Sequence, residues 1–220
     1  MKALAKSLSD FVHNIQSPPH FYLHYYGFHD KYYNDLIHQL FESISHSSLS
    51  TVNQSLLNYT RPILKLGEHT SIKTSESVSQ RIRVAFVSCL FGGNEPHGLL
   101  LIDIIRALPK DLFDSVAIGI GNKPPTNSFL EAVSGNYISV GYNDEYAQSI
   151  LSSQKFDCII FTENLNDGIM HFLAYHRFAP VQILVMGAPV TSSIPTIDYF
   201  ISGDRLEHVG TSFDKSTVEK

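Results

Sequence analysis

The 220-residue chain has few cysteines, no excess of basic residues and no long apolar run. Its two cysteines, Cys89 and Cys158, stand in apolar stretches that are typical of strands. We expect them to be buried free thiols in a reducing compartment, with no disulfide or metal role. A net charge of -5 leaves no basic surface of the kind that nucleic-acid binding requires.

No apolar run approaches the ~20 residues of a membrane-spanning helix, and the N-terminus lacks the apolar core of a signal peptide. We therefore expect a soluble protein of the cytoplasm or nucleus that makes no membrane contact. The chain also lacks a 34-residue period, so the sequence predicts no array of tetratricopeptide repeats within it. A hydrophobic content of 43% is sufficient for the core of one good-sized domain with an extension.

Residues 1–66 differ in composition from the rest of the chain. An aromatic cluster at residues 20–27 leads into residues 30–45, where apolar side chains recur at helical spacing. We interpret this part as a small helical and aromatic segment, in which packing is favoured over any ligand role for the cluster. Residues 67–80, rich in Ser, Thr and Glu, are predicted to be a linker, and residues 209–220 a tail.

Residues 81–208 alternate between short apolar strands and helices. Such continuous apolar strands separated by helices predict a parallel sheet covered on both faces. Right-handed crossovers then give a Rossmann-like α/β unit whose loops gather at the carboxyl ends of the strands. The predicted strands are residues 82–88, 116–120, 138–140, 158–161, 181–186 and 197–202, and the predicted helices are residues 97–108, 128–133, 144–153 and 168–177.

A Gly-Gly turn follows the first predicted strand, and the helix after it begins near Glu95 and Pro96. Glycines permit a tight turn, and the free N–H groups of a helix start suit a phosphate or another polar group. The same residues also describe a well-formed helix start with no ligand, and spacing alone leaves both interpretations open. The turn lacks the third glycine and the acidic ribose ligand of a dinucleotide fingerprint, which argues against an oxidoreductase.

Glu163 and Asn164 follow the fourth predicted strand, at the edge of the sheet where ligand loops gather. They can contact an acceptor or cap the next helix, and capping is the commoner role. His171 and His176 lie on that helix five residues apart, whereas a shared metal site on one helix face uses residues four apart. We interpret both histidines as packing or surface residues, and we predict no metal site.

Residues 178–204 form the most informative stretch of the chain. They set two β-branched, apolar runs on either side of the loop Gly-Ala-Pro-Val-Thr-Ser-Ser-Ile-Pro. Gly187 and Pro189 suit a backbone that passes close to another group, and Thr191 and Ser192 supply hydroxyls and N–H donors. Two buried strands and a turn account for the hydrophobicity of this stretch but not for the composition of its loop.

This stretch closely resembles the "APVQ…G-P-TSG…DY-I-D" signature of the O-GlcNAc transferase and SPINDLY family of protein glycosyltransferases. Arg177 and residues 179–182 match the approach to that signature, and Asn94 and Pro96 match a family turn written F-G-N-H-P. Residues 17–45 resemble the passage from the family's tetratricopeptide repeats into its catalytic region.

The resemblance implies a nucleotide-sugar-dependent protein O-glycosyltransferase, with residues 81–208 as the Rossmann-like N-terminal lobe of a GT-B fold. The donor would be UDP-GlcNAc, or GDP-fucose as in the SPINDLY branch, and the acceptor a Ser or Thr of a protein, with no further cofactor. In the family a C-terminal lobe supplies most nucleotide contacts. A single-lobe chain would therefore need such a lobe, or a further copy of itself, for full activity.

Three positions depart from the family pattern. Glu95 stands where the family carries an active-site histidine, Ala188 where relatives often carry His or Tyr, and Ser193 where they carry Gly. These departures keep open the alternative of a catalytically inactive family member that acts as a protein-binding module. Glu95, at the position of the family histidine, and His97, two residues further on at a place that the family does not use for catalysis, are the candidate catalytic residues. The candidate contacts to substrate or donor are Asn94, Glu163, Asn164, Gly187, Pro189, Thr191 and Ser192.

Overall fold

The computed structural model describes residues 81–91, 96–121, 124–162, 167–185, 192 and 194–203, with helical backbone also at positions 36 and 39. The predicted segments 1–66, 67–80 and 209–220 otherwise lie outside the described residues, and their boundaries stay predictions. Within the described ranges, no helix is long and apolar enough to cross a membrane.

Strands and helices alternate along the described chain, as the sequence predicts. The strands are β1 (Ile82–Ser88), β2 (Phe113–Ile120), β3 (Tyr137–Val140), β4 (Cys158–Phe161), β5 (Val181–Val185) and β6 (Tyr199–Ile201). The helices are α1 (Pro96–Ala107), α2 (Asn127–Ala132), α3 (Asp144–Ser153) and α4 (Gly168–Ala174).

The six strands form one all-parallel sheet in the order β3-β2-β1-β4-β5-β6. A parallel pair needs a connection that crosses back over the sheet, and α1 to α4 supply the first four such crossings. The predicted fold class, a Rossmann-like parallel α/β sheet, is confirmed. All strands begin at one edge of this sheet, called here the amino edge, and end at the opposite one, the carboxyl edge.

Both faces of the sheet are buried, because alternate residues of each strand point to opposite sides. On one face Val87 and Phe161 join a core cluster with residues of α3 and α4. On the other face Phe86 and Ile160 join a second cluster with residues of α1 and α2. Burying each large apolar side chain contributes roughly 1.5–3 kcal/mol, so these two clusters are the main source of stability.

The two element boundaries that differ most from the sequence prediction, the start of β2 and the end of α4, do so for local reasons. β2 begins three residues before the predicted start. Phe113 pairs with Ile82 on β1, and the strand therefore includes the two polar residues Asp114 and Ser115. α4 ends at Ala174 rather than at residue 177, because the N–H of Tyr175 closes the helix on the Leu173 and Phe172 carbonyls. Hydrophobic periodicity reports neither a polar strand start nor a cap.

The signature residues Arg177, Gln182 and Asp198 form a buried network at the amino edge. Arg177 binds both carboxylate oxygens of Asp198, at 2.5 and 3.1 Å. Asp198 also accepts the backbone N–H of Gln182 at 2.9 Å. The Gln182 side chain accepts the N–H of Phe178 and donates to the carbonyls of His176 and Thr196. This network joins the end of α4 to the starts of β5 and β6, so much of the signature serves the scaffold.

A second clamp at the amino edge surrounds Arg83. Its guanidinium donates to the backbone carbonyl and the side-chain oxygen of Gln154, and it lies 5.0 Å from the ring centroid of Phe156. Its backbone N–H donates to the Asp157 carboxylate at 2.8 Å. Arg83 therefore ties the start of β1 to the end of α3 and the start of β4.

Gly119 in β2 gives room to the side chain of Tyr137 on the neighbouring strand. A Cβ at this position would overlap the Tyr137 hydroxyl and lie 2.8 Å from its ring carbon Cζ. The Tyr137 ring meets Phe129 edge to face at 5.6 Å, and Phe129 stacks on Phe91 at 4.4 Å. This aromatic row fixes the chain just after β1, where the first predicted site loop starts.

Candidate functional site

The strand order contains one point at which the direction of winding reverses, and it lies between β1 and β4. From β1 the chain winds outward through β2 to β3, and then it returns to β4 and winds the other way through β5 to β6. In open α/β sheets, ligands bind in the crevice beyond the carboxyl ends of the strands at such a switch point. The candidate site is therefore the carboxyl edge around the ends of β1 and β4.

Three predicted site loops leave this same edge. Residues 92–95 follow β1, residues 163–166 follow β4, and residues 186–191 follow β5. β1, β4 and β5 are neighbours in the sheet, and neighbouring strands lie about 4.8 Å apart. The starting points of the three loops therefore lie within about two strand spacings of one another.

Most of the predicted site residues belong to those loops and lie outside the described residues. His97 is in the first turn of α1, whose backbone is described, while its side chain is outside the described part. Ser192 is described and half-buried, and its hydroxyl oxygen accepts the N–H of Ile194 at 3.2 Å. The predicted site residues outside the described ranges are Asn94, Glu95, Glu163, Asn164, Gly187, Pro189 and Thr191.

Two buried hydroxyl residues, Ser88 and Thr162, lie where β1 and β4 end. The Ser88 hydroxyl oxygen accepts the N–H of Leu90 at 2.9 Å and shapes the turn after β1. The Thr162 hydroxyl and its backbone N–H both donate to the carbonyl of Val87, at 3.0 and 3.3 Å. These bonds hold the ends of β1 and β4 together beyond their last paired residues.

Tyr142 and Asp167 form a polar contact at the same edge that the sequence analysis did not identify. The Tyr142 hydroxyl donates to Asp167 Oδ2 at 2.9 Å. The other carboxylate oxygen accepts the N–H groups of Ile169 and Met170 and caps α4. An Asp just before an apolar helix is a cap signal in sequence, but the partnership with Tyr142 depends on a fold that joins residues 25 positions apart.

The Tyr142 hydroxyl stays protonated at any ordinary pH. Burial, the carboxylate of Asp167 and the Cys89 thiol all raise the pKa of Tyr142 well above its usual value of 10.0. Because Asp167 caps the helix that follows β4, the Tyr142 hydroxyl lies beside the end of a switch-point strand. The site therefore receives side chains from the loops after β3 and β4.

Positive charge is distributed unevenly between the two edges. Of the described Lys and Arg residues, none lies at the carboxyl edge, whereas that edge carries Asp167 and the exposed Glu145. The described cations precede strands, lie at a strand start or occupy the last turn of a helix, and they are Arg81, Arg83, Arg106, Lys110, Lys155 and Arg177.

Both cysteines are free and half-buried, somewhat more exposed than the fully buried thiols expected. Burial raises the pKa of the Cys158 thiol from its ordinary 9.0 to about 12, and the carboxylates of Asp198 and Asp157 add to this effect. Cys158 begins β4 at the amino edge and so is remote from the candidate site. Among the described residues, no three His, Cys, Asp or Glu side chains are grouped so that they could hold a metal ion.

His171 lies in α4 and His176 follows its end, and both are packing residues, one of the two roles that the sequence indicates. His171 is 3% exposed and meets Tyr175 edge to face at 5.3 Å. His176 is 1% exposed, stacks on Phe178 at 5.7 Å, and its Nδ1 lies 3.1 Å from the Phe172 carbonyl oxygen.

A cavity of about 80 Å³ opens at the amino edge, between the starts of β1 and β2 and the ends of α1 and α2. Arg81, Lys110 and Asp114 line its rim, with Ser134 and Asn136 beside them. Lys110 Nζ donates to the Ser134 hydroxyl at 2.9 Å, and Arg81 lies 3.9 Å from Asp114. The described residues of the candidate site do not line this cavity, so it belongs to the charged scaffold of the amino edge.

Comparison with solved structures gives a likeness to a mutant O-GlcNAc transferase from Thermobaculum terrenum, with a TM-score of 0.51 at 18% sequence identity. The match covers 64% of this chain and 27% of that one, so the chain spans about a quarter of the transferase's length. No protein-family model and no curated protein matches the chain. The likeness shows an O-GlcNAc-transferase-like, Rossmann-like α/β fold.

Proposed function

We propose that the chain is the N-terminal lobe of a nucleotide-sugar-dependent protein O-glycosyltransferase of the O-GlcNAc transferase kind, acting in the cytoplasm or nucleus. The observation that carries the proposal is that the three loops with family-like residues follow β1, β4 and β5, which are neighbours in the sheet. The likeness of the fold to an O-GlcNAc transferase supports the same assignment.

The proposed reaction transfers a sugar from UDP-GlcNAc, or from GDP-fucose, to a protein hydroxyl. The Ser or Thr oxygen attacks the anomeric carbon, the bond from that carbon to the diphosphate oxygen breaks, and the diphosphate leaves with the electron pair. A base accepts the hydroxyl proton, and Glu95 or His97 is the candidate for that role. Positioning the two substrates, together with stabilising the leaving diphosphate, accounts for the rest of the rate enhancement.

A second lobe, from a longer polypeptide or another subunit, is part of the proposal. In the family that the sequence resembles, a C-terminal lobe supplies most nucleotide contacts, and a leaving diphosphate needs groups that stabilise its charge. We therefore expect the 220-residue chain alone to bind the donor weakly and to turn over little. Full activity belongs to the assembly that contains both lobes.

The test is a transfer assay with the native polypeptide, purified from cells that express it together with whatever subunits accompany it. Labelled UDP-GlcNAc and labelled GDP-fucose are supplied separately with a protein extract as acceptor. The expected result is label from one donor on Ser or Thr, released by alkaline β-elimination. Absence of such label from both donors, with a folded protein, contradicts the proposal.

Variants of the first loop then assign the base. Loss of a general base lowers the rate by about 10²–10⁴-fold, so either Glu95→Gln or His97→Gln should show that loss while the other does not. Glu145→Gln is the matched control, because Glu145 is an exposed carboxylate at the start of α3. Full activity of both Glu95→Gln and His97→Gln removes these two residues from the mechanism.

A catalytically inactive, protein-binding member of the family is the second candidate. The observations in its favour are the departures from the family pattern at Glu95 and Ala188. Thermal unfolding discriminates, because a ligand at ten times its Kd stabilises the folded state by about 1.4 kcal/mol. A rise in Tm of about 3–5 °C with UDP-GlcNAc or GDP-fucose favours the transferase, and no rise for the native assembly favours the binding module.

A further inference from the structure

Tyr142 presents a fixed aromatic ring at the carboxyl edge. The residue is 45% exposed, although its hydroxyl is held by Asp167 at 2.9 Å. Asp167 is itself fixed, because its second carboxylate oxygen accepts two N–H groups at the start of α4. A ring whose polar end is held this way loses little conformational entropy when a ligand packs on its face.

The ring lies at the switch point and not at the outer rim of the sheet. Tyr142 follows β3, yet its hydroxyl reaches Asp167 after β4, and β2 and β1 lie between those two strands in the sheet. The loop after β3 therefore extends over the crevice in which α/β sheets of this order bind ligands. Exposed aromatic area in that crevice is available to a substrate.

The charges around Tyr142 disfavour a phosphate and favour a neutral ligand. The Asp167 carboxylate already occupies the N-terminus of α4, and no described Lys or Arg lies at the carboxyl edge. A phosphate placed beside Tyr142 would meet the like charge of the Asp167 carboxylate. A sugar ring is uncharged, has an apolar face formed by its C–H groups, and carries hydroxyl donors.

The hydrogen-bonding capacity of Asp167 matches such a ligand. A carboxylate has about four lone-pair sites, and Asp167 uses one for Tyr142 and two for the α4 N–H groups. One site on Oδ2 therefore stays available for a hydroxyl. Aromatic rings pack well against apolar groups, and hydrogen bonds to a carboxylate are stronger than those between neutral groups.

We infer that Tyr142 and Asp167 form a saccharide-contact surface, in which the sugar packs on the Tyr142 ring and one sugar hydroxyl donates to Asp167. This inference rests on the proposed function and deepens it, because it assigns the sugar, and not the diphosphate, to this part of the crevice. Neither residue belongs to the signature loops.

The test measures binding of free N-acetylglucosamine to the full 220-residue chain by saturation-transfer NMR, with UDP alone as a second ligand. Tyr142→Ala should weaken monosaccharide binding about fivefold or more, and Tyr142→Phe, which keeps the ring, should weaken it by about twofold. Asp167→Asn removes the charge but keeps a helix-capping side chain, so it should weaken binding without unfolding α4. Tyr146→Ala is the matched control, because Tyr146 is 50% exposed on α3.

Each outcome decides the inference. Monosaccharide binding that is lost in Tyr142→Ala and kept in Tyr146→Ala supports it. Equal binding by wild type and Tyr142→Ala overturns it, as does a saturation-transfer signal from UDP but none from the monosaccharide. If the transfer assay succeeds while Tyr142→Ala binds the monosaccharide normally, the proposed function stands and this inference fails. If transfer is absent while binding depends on Tyr142, the surface contacts sugar in another activity and the proposed function fails.

Discussion

The two edges of the sheet differ in what their polar groups do. At the amino edge, side chains tie neighbouring elements together: Arg177 and Asp198 form a buried ion pair, and the partly exposed Arg83 donates to Gln154. At the carboxyl edge, polar side chains mainly cap helices and close turns, and Tyr142 keeps an exposed ring. The difference indicates that the amino edge holds the fold together, and it agrees with the proposal that ligands bind at the carboxyl edge.

The largest expected effect comes from breaking the amino edge at Arg177. Arg177→Met leaves the Asp198 carboxylate, 8% exposed, without its cation, and removing one partner of a buried pair costs about 3–5 kcal/mol. Urea unfolding measures the loss. The exposed Arg106–Asp103 pair is the control, and Arg106→Met should cost less than about 1 kcal/mol. Equal costs for the two variants would remove the distinction between a structural network and surface charge.

The next effect lies between β2 and β3, toward the carboxyl edge. Gly119→Ala places a Cβ against the Tyr137 hydroxyl, and such overpacking costs about 1–3 kcal/mol. The double variant with Tyr137→Ala provides the control, because removing the Tyr137 ring should make Gly119→Ala nearly neutral. The same cost in both backgrounds, measured by urea unfolding, would show that the contact is not the cause.

A smaller effect is expected at the carboxyl edge itself. Asp167→Ala removes the α4 cap and the partner of Tyr142, and loss of a helix cap costs about 0.5–2 kcal/mol. Asp167→Asn should retain most of that stability, since Asn caps helices nearly as well. If Asp167→Ala proved as damaging as Arg177→Met in thermal unfolding, Asp167 would belong to the scaffold and the contrast between the edges would weaken.

An effect that is absent at neutral pH appears only in alkaline solution. The pKa of Cys158 is raised to about 12, so the folded state keeps a proton that the unfolded state releases above the ordinary value of 9.0. The contribution of Cys158 to the free energy of unfolding is therefore fully present below pH 9. It falls by about 1.4 kcal/mol per pH unit between pH 9 and 12. The free energy of unfolding of Cys158→Ala should therefore decline less steeply with pH over that range than that of the wild type. Identical slopes would show that the thiol is not shielded.

Sequence periodicity was sufficient for the local elements but not for the contacts between them. The bounds of β1, β4 and α3 agree with the prediction, because continuous apolar runs and an Asn cap mark them clearly. The strand order has no such local signal, since it depends on how each crossover helix packs. For that reason the pairing of Tyr142 with Asp167 could not be read from the sequence.

In the signature stretch, too, the sequence alone did not separate residues that stabilise the fold from residues that could contact a ligand. Its resemblance to a glycosyltransferase family pointed to the correct fold, yet Arg177, Gln182 and Asp198 turn out to stabilise the amino edge. A family motif records residues needed for folding together with those needed for chemistry, and only the geometry separates them. Which of Glu95 and His97 acts as a base stays a prediction.

The measurement that tests the account most directly is an amide NMR titration of the chain with UDP-GlcNAc up to millimolar concentration. We predict perturbed resonances at the carboxyl ends of β1 and β4, especially Ser88, Thr162 and Tyr142. Perturbations confined to the amino-edge cavity around Arg81, Asp114 and Asn136, or none at any concentration, would contradict the claim that the carboxyl edge is the ligand-binding edge.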